Sequence, residues 1–297
     1  MTAKIINGLA IAKEVRRGIA ERAAALRARG IIPALTLIRV GNDPASGVYV
    51  RNKVRACGDV GIKSEVVHLP ADISEERLLG HIRRLNENLA IHGILVQLPL
   101  PPHIAPRHVL ETISVAKDVD GFHLYNVGGL VIGQTVFPPC TPYGVQKILE
   151  HEGIELEGKN VTVVGASNIV GKPLALMLMQ REATVAICHA KTRDLAQYTI
   201  LADILVVAAG KPNLIVAPMI RTGAVVIDVG INFLPGGKLV GDVDFHGVKE
   251  KASYITPVPG GVGPMTVTML LENTVGAAER ASSHISPAAN VTADVPE

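Results

Sequence analysis

Residues 161–173 read VTVVGASNIVGKP. The run V-T-V-V predicts a short buried strand at 161–164, and Gly165 follows it where the chain must turn sharply. Gly171 then opens a helix predicted over 170–181. A strand, a glycine turn and a helix in this order can hold a pyrophosphate on the first backbone N–H groups of the helix. The spacing is G-x-x-x-x-x-G and not G-x-G-x-x-G, so an ordinary strand-to-helix turn explains it equally well in isolation.

The downstream pattern strengthens the nucleotide reading. A strand at 184–188, a helix at 193–200 and strands at 203–208 and 224–229 repeat the alternation expected of a Rossmann-like parallel sheet. NAD-binding folds place an acid about 20 residues beyond the first glycine. Here the chain reads AICHAKTRD, with Lys191 and Arg193 before Asp194. A cation in that loop suits a 2′-phosphate and points to NADP, with NAD also possible. A solvated basic loop is the competing explanation.

Upstream, a second alternation precedes the first. Apolar residues Leu9, Ala12, Val15, Ile19, Ala23 and Leu26 have helical spacing over 8–29. ALTLIRV reads as a buried strand, KSEVVHL as a second and HGILVQL as a third. Asp43 and Pro44 mark a helix start between the first two, and a helix from Ser74 to about Leu89 joins the last two. Residues 99–140, rich in proline and glycine, read as a loop-rich boundary before a crossover helix at 141–151. A last helix is expected at about 265–280, long enough to pack back on the first half. The tail SSHISPAANVTADVPE reads as polar and frayed. The fold class is therefore α/β with two domains and a cleft between them. The N-terminal α/β catalytic domain takes residues 1–139 plus 276–297, and the Rossmann-like NAD(P)-binding domain takes 140–275.

Composition narrows the function. A net charge of +2 from 29 basic and 27 acidic residues, with 3% aromatics and no Trp, gives no footprint for nucleic acid. No apolar run is long enough for a membrane span, and the first residues do not read as a signal peptide. Cys57, Cys140 and Cys188 are dispersed without a C-x-x-C pair, which suits a reducing compartment and a cytoplasmic protein. No metal set is expected.

Tyr49 and Lys53 stand four apart on one helix face, a stacking ring beside a proton-transfer group. The same spacing is often a plain surface pair. Short-chain dehydrogenases also use it, but they carry it after the nucleotide fold, whereas here it precedes Gly165 by more than a hundred residues. Gln97 ends a strand where PLPP stops the sheet, at the end where open parallel sheets gather ligands. Asp118 and Asp120 lie in KDVDGF, where either can be turn chemistry. PVPGGVGP at 257–264 offers bare backbone to a flat ligand.

Taken together, YVRNK, VQLPLP, KDVDGF, VVGASNIVGKP, VIDVGIN and TPVPGGVGPMT resemble the bifunctional methylenetetrahydrofolate dehydrogenase/methenyltetrahydrofolate cyclohydrolase family, often called FolD, in its short bacterial form. The resemblance runs from about residue 49 to 266. It implies NADP-dependent oxidation of 5,10-methylenetetrahydrofolate to 5,10-methenyltetrahydrofolate, then hydrolysis to 10-formyltetrahydrofolate, by a homodimer. It assigns catalysis to Lys53, Gln97 and Tyr49, and folate binding to Tyr49, Asp120, Pro259, Gly260 and Gly261. The dinucleotide would meet Gly165, Ala166, Ser167, Ile231 and Lys191. A lysine titrates near ~10.4 in water, so Lys53 would need desolvation and a hydrogen-bonding neighbour, the role implied for Gln97. One departure bears on the cofactor. Many members read G-R-S where this chain has Gly165-Ala166-Ser167, and a serine where it has Ala190. A cyclohydrolase with weak or NAD-preferring dehydrogenase activity is the alternative this leaves open.

Overall fold

The structure is a computed structural model and describes residues 2–283. Of the tail expected to fray, Ser282 and Ser283 belong to the last helix and the remainder lies outside the described residues.

In chain order the first half contains β1 (Lys4–Ile5), α1 (Gly8–Ala28), β2 (Ala34–Val40), α2 (Pro44–Asp59), β3 (Lys63–Leu69), α3 (Glu75–Glu87) and β4 (Gly93–Val96). Three side chains start the helices: Asn7 accepts from the Ala10 N–H at 3.0 Å, Asp43 from Ser46 at 2.7 Å and Ser74 from Arg77 at 3.4 Å. β2 lies between β3 and β4 in an all-parallel sheet. Its central place explains the near-continuous apolar run ALTLIRV. KSEVVHL is mostly exposed, as suits β3 at an edge.

One helical position departs from expectation. Leu9 is 62% exposed, and Ile11 takes the core-facing place beside Ala12, Ile19, Ala23 and Leu26.

The stretch read as loop-rich contains two helices, α4 (Pro106–Thr112) and α5 (Leu124–Ile132). α4 is short, with Pro106 at its first turn. α5 reads LYNVGGLVI, whose glycines disfavour a helix in isolation. Tertiary contacts override that preference. Asn126 donates to Asp118 at 2.7 Å and accepts from the Phe137 N–H at 3.3 Å. Gly129 lets the following turn approach, since a Cβ there would sit 2.7 Å from the Gln134 carbonyl oxygen.

The second half holds α6 (Cys140–His151), β5 (Asn160–Val164), α7 (Gly171–Met179), β6 (Thr184–Cys188), β7 (Ile204–Val207) and β8 (Val225–Asp228). Its six-stranded parallel sheet runs β1, Tyr254–Ile255, β8, β7, β5, β6. β6 lies on one side of β5 and β7 on the other. Their connections diverge there and leave a crevice at the carboxyl ends of β5 and β7. The first strand of the chain thus completes the second sheet. The C-terminal helix, Val262–Ser283, packs against α1 and α6. Arg22 on α1 reaches it through Glu272 at 2.5 Å and Glu279 at 2.7 Å.

Candidate functional site

Lys53 and Gln97 meet. α2 carries the lysine, and the end of β4 carries the glutamine, whose backbone N–H bonds the Ile38 carbonyl at 2.8 Å. Lys53 Nζ donates to Gln97 Oε1 at 3.0 Å. Gln97 Nε2 donates to the Leu98 carbonyl at 2.8 Å, which aims the oxygen at the ammonium. Both side chains are half-buried. An ammonium has three N–H donors, so two remain for a ligand or a water.

The two aspartates of KDVDGF separate by role. Asp118 is buried and accepts from the His123 N–H at 2.8 Å and from Asn126 at 2.7 Å, so it builds the turn. Asp120 faces the charge of Lys53. Burial pushes its carboxyl above the usual range, Lys53 pulls it back and Asp118 pushes it up further. Asn273 of the C-terminal helix pins this turn from behind, donating to the carbonyls of Val119 at 2.9 Å and Pro138 at 3.0 Å. Burial also pushes the Cys57 thiol up to about 12, and the Cys140 thiol well above its ordinary value. Neither supplies a thiolate nucleophile at neutral pH.

Beside this group lies a cleft of about 660 Å³ walled by Tyr49 of α2, by Asp228 and Ile231 at the end of β8, and by the loop Pro257–Pro264. Tyr49, Ile231, Pro259, Gly260 and Gly261 all line it. The loop fits because two glycines meet across it: a Cβ on Gly8 would lie 1.8 Å from the Gly261 carbonyl oxygen. Leu9, displaced from the core, is part of this wall. Lys53, Gln97 and Asp120 do not line the cleft itself, and α2 connects the two groups.

Gly165, Ala166, Ser167 and Lys191 belong to a separate surface at the sheet crevice. Gly165 has φ +120, and a Cβ there would stand 2.1 Å from the Ala208 carbonyl oxygen. A Cβ on Gly171 would meet the Gly165 oxygen at 1.8 Å. Only glycine permits this compact strand-to-helix turn, which leaves the backbone of the loop open at the crevice. Ser167 Oγ accepts from the N–H groups of Val170 at 3.1 Å and Gly171 at 3.4 Å, capping α7. Lys191 is exposed, in a turn where its N–H bonds His189 Nδ1 at 3.1 Å. These features fit a dinucleotide whose phosphates approach the start of α7.

Sequence reasoning missed a buried pair beneath that surface. Asp242 accepts from three successive N–H groups, Ala209 at 2.6 Å, Gly210 at 2.8 Å and Lys211 at 2.9 Å, and from Asn232 Nδ2 at 2.8 Å. Asp228 accepts from Gly230 at 2.9 Å and from Asp242 and Val243 at 3.0 Å each. Together they fix the loops after β7 and β8, including the one that carries Ile231. The available signal was an acid ending the strand VVID, followed by GDVDF.

A parallel nucleotide-type sheet whose carboxyl edge walls a cleft, with a lysine–glutamine pair near it, fits a two-domain pyridine-nucleotide enzyme. Comparison with known proteins makes the class specific. Residues 6–120 match the catalytic domain, and residues 139–282 the NAD(P)-binding domain, of tetrahydrofolate dehydrogenase/cyclohydrolase. The "Bifunctional protein FolD" of Nitrosospira multiformis is 59% identical over 285 residues, 96% of this chain and 99% of that protein. The protein of the same name from Ralstonia pickettii is 60% identical over 289 residues, 97% and 100% of the two chains. Among solved structures, the bifunctional enzyme FolD of Campylobacter jejuni aligns with a TM-score of 0.93 at 51% identity, covering 94% of this chain and 99% of the other. The Trypanosoma brucei enzyme complexed with NADP and an inhibitor aligns with 0.91 at 41% identity, covering 95% and 99%. This chain belongs to the tetrahydrofolate dehydrogenase/cyclohydrolase family.

Asp228 makes the site pH-sensitive. Burial pushes its carboxyl from 3.8 to about 6, against the three N–H donors that pull it down. The folded protein then binds this proton more tightly than the unfolded chain, so stability falls as pH rises between those values and the loss is complete above the upper one. The shift corresponds to about 3 kcal/mol at most. Urea unfolding from pH 4 to 7 is expected to show wild type losing stability relative to Asp228→Asn across that window. Parallel curves would refute the assignment.

Proposed function

We propose that this chain oxidises 5,10-methylenetetrahydrofolate with NADP and hydrolyses the resulting 5,10-methenyltetrahydrofolate to 10-formyltetrahydrofolate. The observation that carries the reading is the Lys53–Gln97 bond of 3.0 Å beside a cleft whose far wall is the carboxyl edge of a nucleotide-type sheet. NADP, when bound, supplies the hydride acceptor. Oxidation then requires little from side chains beyond positioning.

Hydrolysis requires more. Water adds to the methenyl carbon, the bond from that carbon to N5 breaks, and one proton is released. Lys53 is the group that handles this proton, and Gln97 holds its Nζ in place. Tyr49 lies along the folate, Asp120 accepts N–H donors of the pterin, and Pro259, Gly260 and Gly261 form a flat wall. Gly165, Ala166, Ser167 and Ile231 receive the dinucleotide, and Lys191 reaches its 2′-phosphate. The second reading, weak or NAD-preferring oxidation, draws on Ala166 and Ala190, which offer a phosphate no side-chain donor.

The lobes divide the work: residues 1–139 with 276–297 take folate chemistry, and 140–275 take the nucleotide, with β1 lent to the second sheet. The cytoplasm suits the three buried free cysteines, and among the described residues no helix is long and apolar enough to cross a membrane. A homodimer through the nucleotide lobe draws support from the open edge of β6, where Ile187 is exposed, and from exposed Tyr198 and Leu201 in the segment that follows it.

Three measurements test these roles. Lys53→Gln is expected to keep the fold and to lose methenyltetrahydrofolate hydrolysis; near wild-type hydrolysis above the spontaneous rate would remove Lys53 from the mechanism. Lys191→Glu should raise KM for NADP about tenfold to a hundredfold, with NAD and hydrolysis little changed. Equal effects on both nucleotides would leave Lys191 a solvated loop charge. Light scattering at micromolar protein should return twice the chain mass, and a monomer mass would rule out the dimer.

A further inference from the structure

The C-terminal helix buries four polar side chains, Thr268, Asn273, Thr274 and Ser282. The three hydroxyls donate within the helix, to the carbonyls of Pro264 at 2.9 Å, Leu270 at 2.7 Å and Glu279 at 2.7 Å. Asn273 alone of the four sends its donors to another part of the chain. Its side chain is almost wholly buried, and Nδ2 bridges the carbonyls of Val119 and Pro138. Asparagine is a poor helix former, and a buried amide is costly unless it is bonded. A use outside the helix therefore accounts for this residue at this place.

The two bridged carbonyls belong to the two segments that enclose Asp120. Val119 precedes it directly. Pro138 lies in the segment packed on Gly121, where a Cβ would stand 2.6 Å from the Pro139 nitrogen. Cys140 Sγ also donates to the Val119 carbonyl, at 3.3 Å, so both lone pairs of that oxygen are used. The Pro138 carbonyl has Asn273 as its one partner among the described residues. The Asp120 carboxyl itself faces Lys53 and the Cys140 thiol. Its place relative to the lysine thus depends on backbone that Asn273 stitches to the helix.

We propose that Asn273 is a positioning residue for both folate reactions, holding the Asp120 carboxyl where the ring system meets Lys53. The inference rests on the folate reading of Lys53 and Asp120. Spanning two carbonyls takes two N–H groups on one short side chain. A serine hydroxyl has one proton, and leucine has none at nearly the same volume as asparagine.

The test measures Asn273→Leu and Asn273→Ser, each alone and combined with Asp120→Ala. In Asn273→Leu, KM for methylenetetrahydrofolate and methenyltetrahydrofolate should rise about tenfold, with KM for NADP held within about twofold. Asn273→Ser should fall between that variant and wild type, and it carries the test should Asn273→Leu not fold. A residue that served stability alone would lower the active fraction, hence kcat, and leave both folate KM values in place. On Asp120→Ala, either substitution should change folate KM by less than about twofold, because the group it positions is gone. Hydrogen exchange without folate reads the turn directly. The N–H groups of Val119 and Gly121, bonded to Lys117 and Asp118, should exchange faster in the variants, with β5 and β7 unchanged. Unchanged folate KM, effects that add fully to those of Asp120→Ala, or unchanged exchange at these two groups overturns the proposal. If Asp120→Ala alone leaves folate KM unchanged, the folate role of Asp120 fails instead, and the exchange rates decide whether Asn273 holds the turn.

Discussion

The packing of the C-terminal helix, Val262–Ser283, against α1 and α6 is the constraint on which the site depends. Its first turn continues the loop that walls the cleft, and its middle pins the Asp120 turn through Asn273. Its contact with α1 includes the Arg16–Thr268 hydrogen bond and the ion pairs of Arg22, and Met265 lies against Gly144 of α6. One rigid element therefore sets both a wall of the cleft and the position of the Asp120 carboxyl. The loop that leads into this helix passes close to the start of α1, where Gly8 and Gly261 approach each other.

Electrostatics divide the buried acids into two kinds. Asp118, Asp228 and Asp242 spend their oxygens on backbone N–H groups and side-chain amides, so they hold loops in shape. Asp120 faces a lysine and remains able to receive a ligand. A carboxyl taken out of water favours its neutral form, and a nearby cation opposes that. Lys53 is that cation, so the lysine held by Gln97 also conditions the carboxyl of Asp120.

Much of this was legible in the residues. Two β–α alternations and the glycines at Gly165 and Gly171 carry periodicity and turn signals that act locally, and the strands form where those signals lie. Lys53, Gln97 and Asp120 were legible chiefly as motifs, since their meeting depends on how α2 and the end of β4 are brought together. α5 was illegible because its glycines argue against a helix and its support comes from Asp118 and Phe137. Asp228 and Asp242 were missed because a carboxylate bonded to loop N–H groups has no sequence period. Leu9 was read as core because helical spacing counts faces without saying which face a ligand cleft occupies.

The pairing of β1 with Tyr254–Ile255 bears on how the chain reaches this structure. The three-stranded sheet closes over nearer segments, with α2 between β2 and β3 and with α2, β3 and α3 between β2 and β4. The edge beside β8 stays open until residue 255 has left the ribosome, after which both the Tyr254–Ile255 strand and the waiting N-terminal residues can dock. Contacts of such long sequence separation are slow to form, since loop closure precedes their reward. During that interval β8 presents unpaired backbone groups along an apolar strand, the kind of edge that nascent-chain chaperones shield. Pairing of the Lys4–Ile5 strand with Tyr254–Ile255 thus completes the second sheet only through contacts of very long sequence separation.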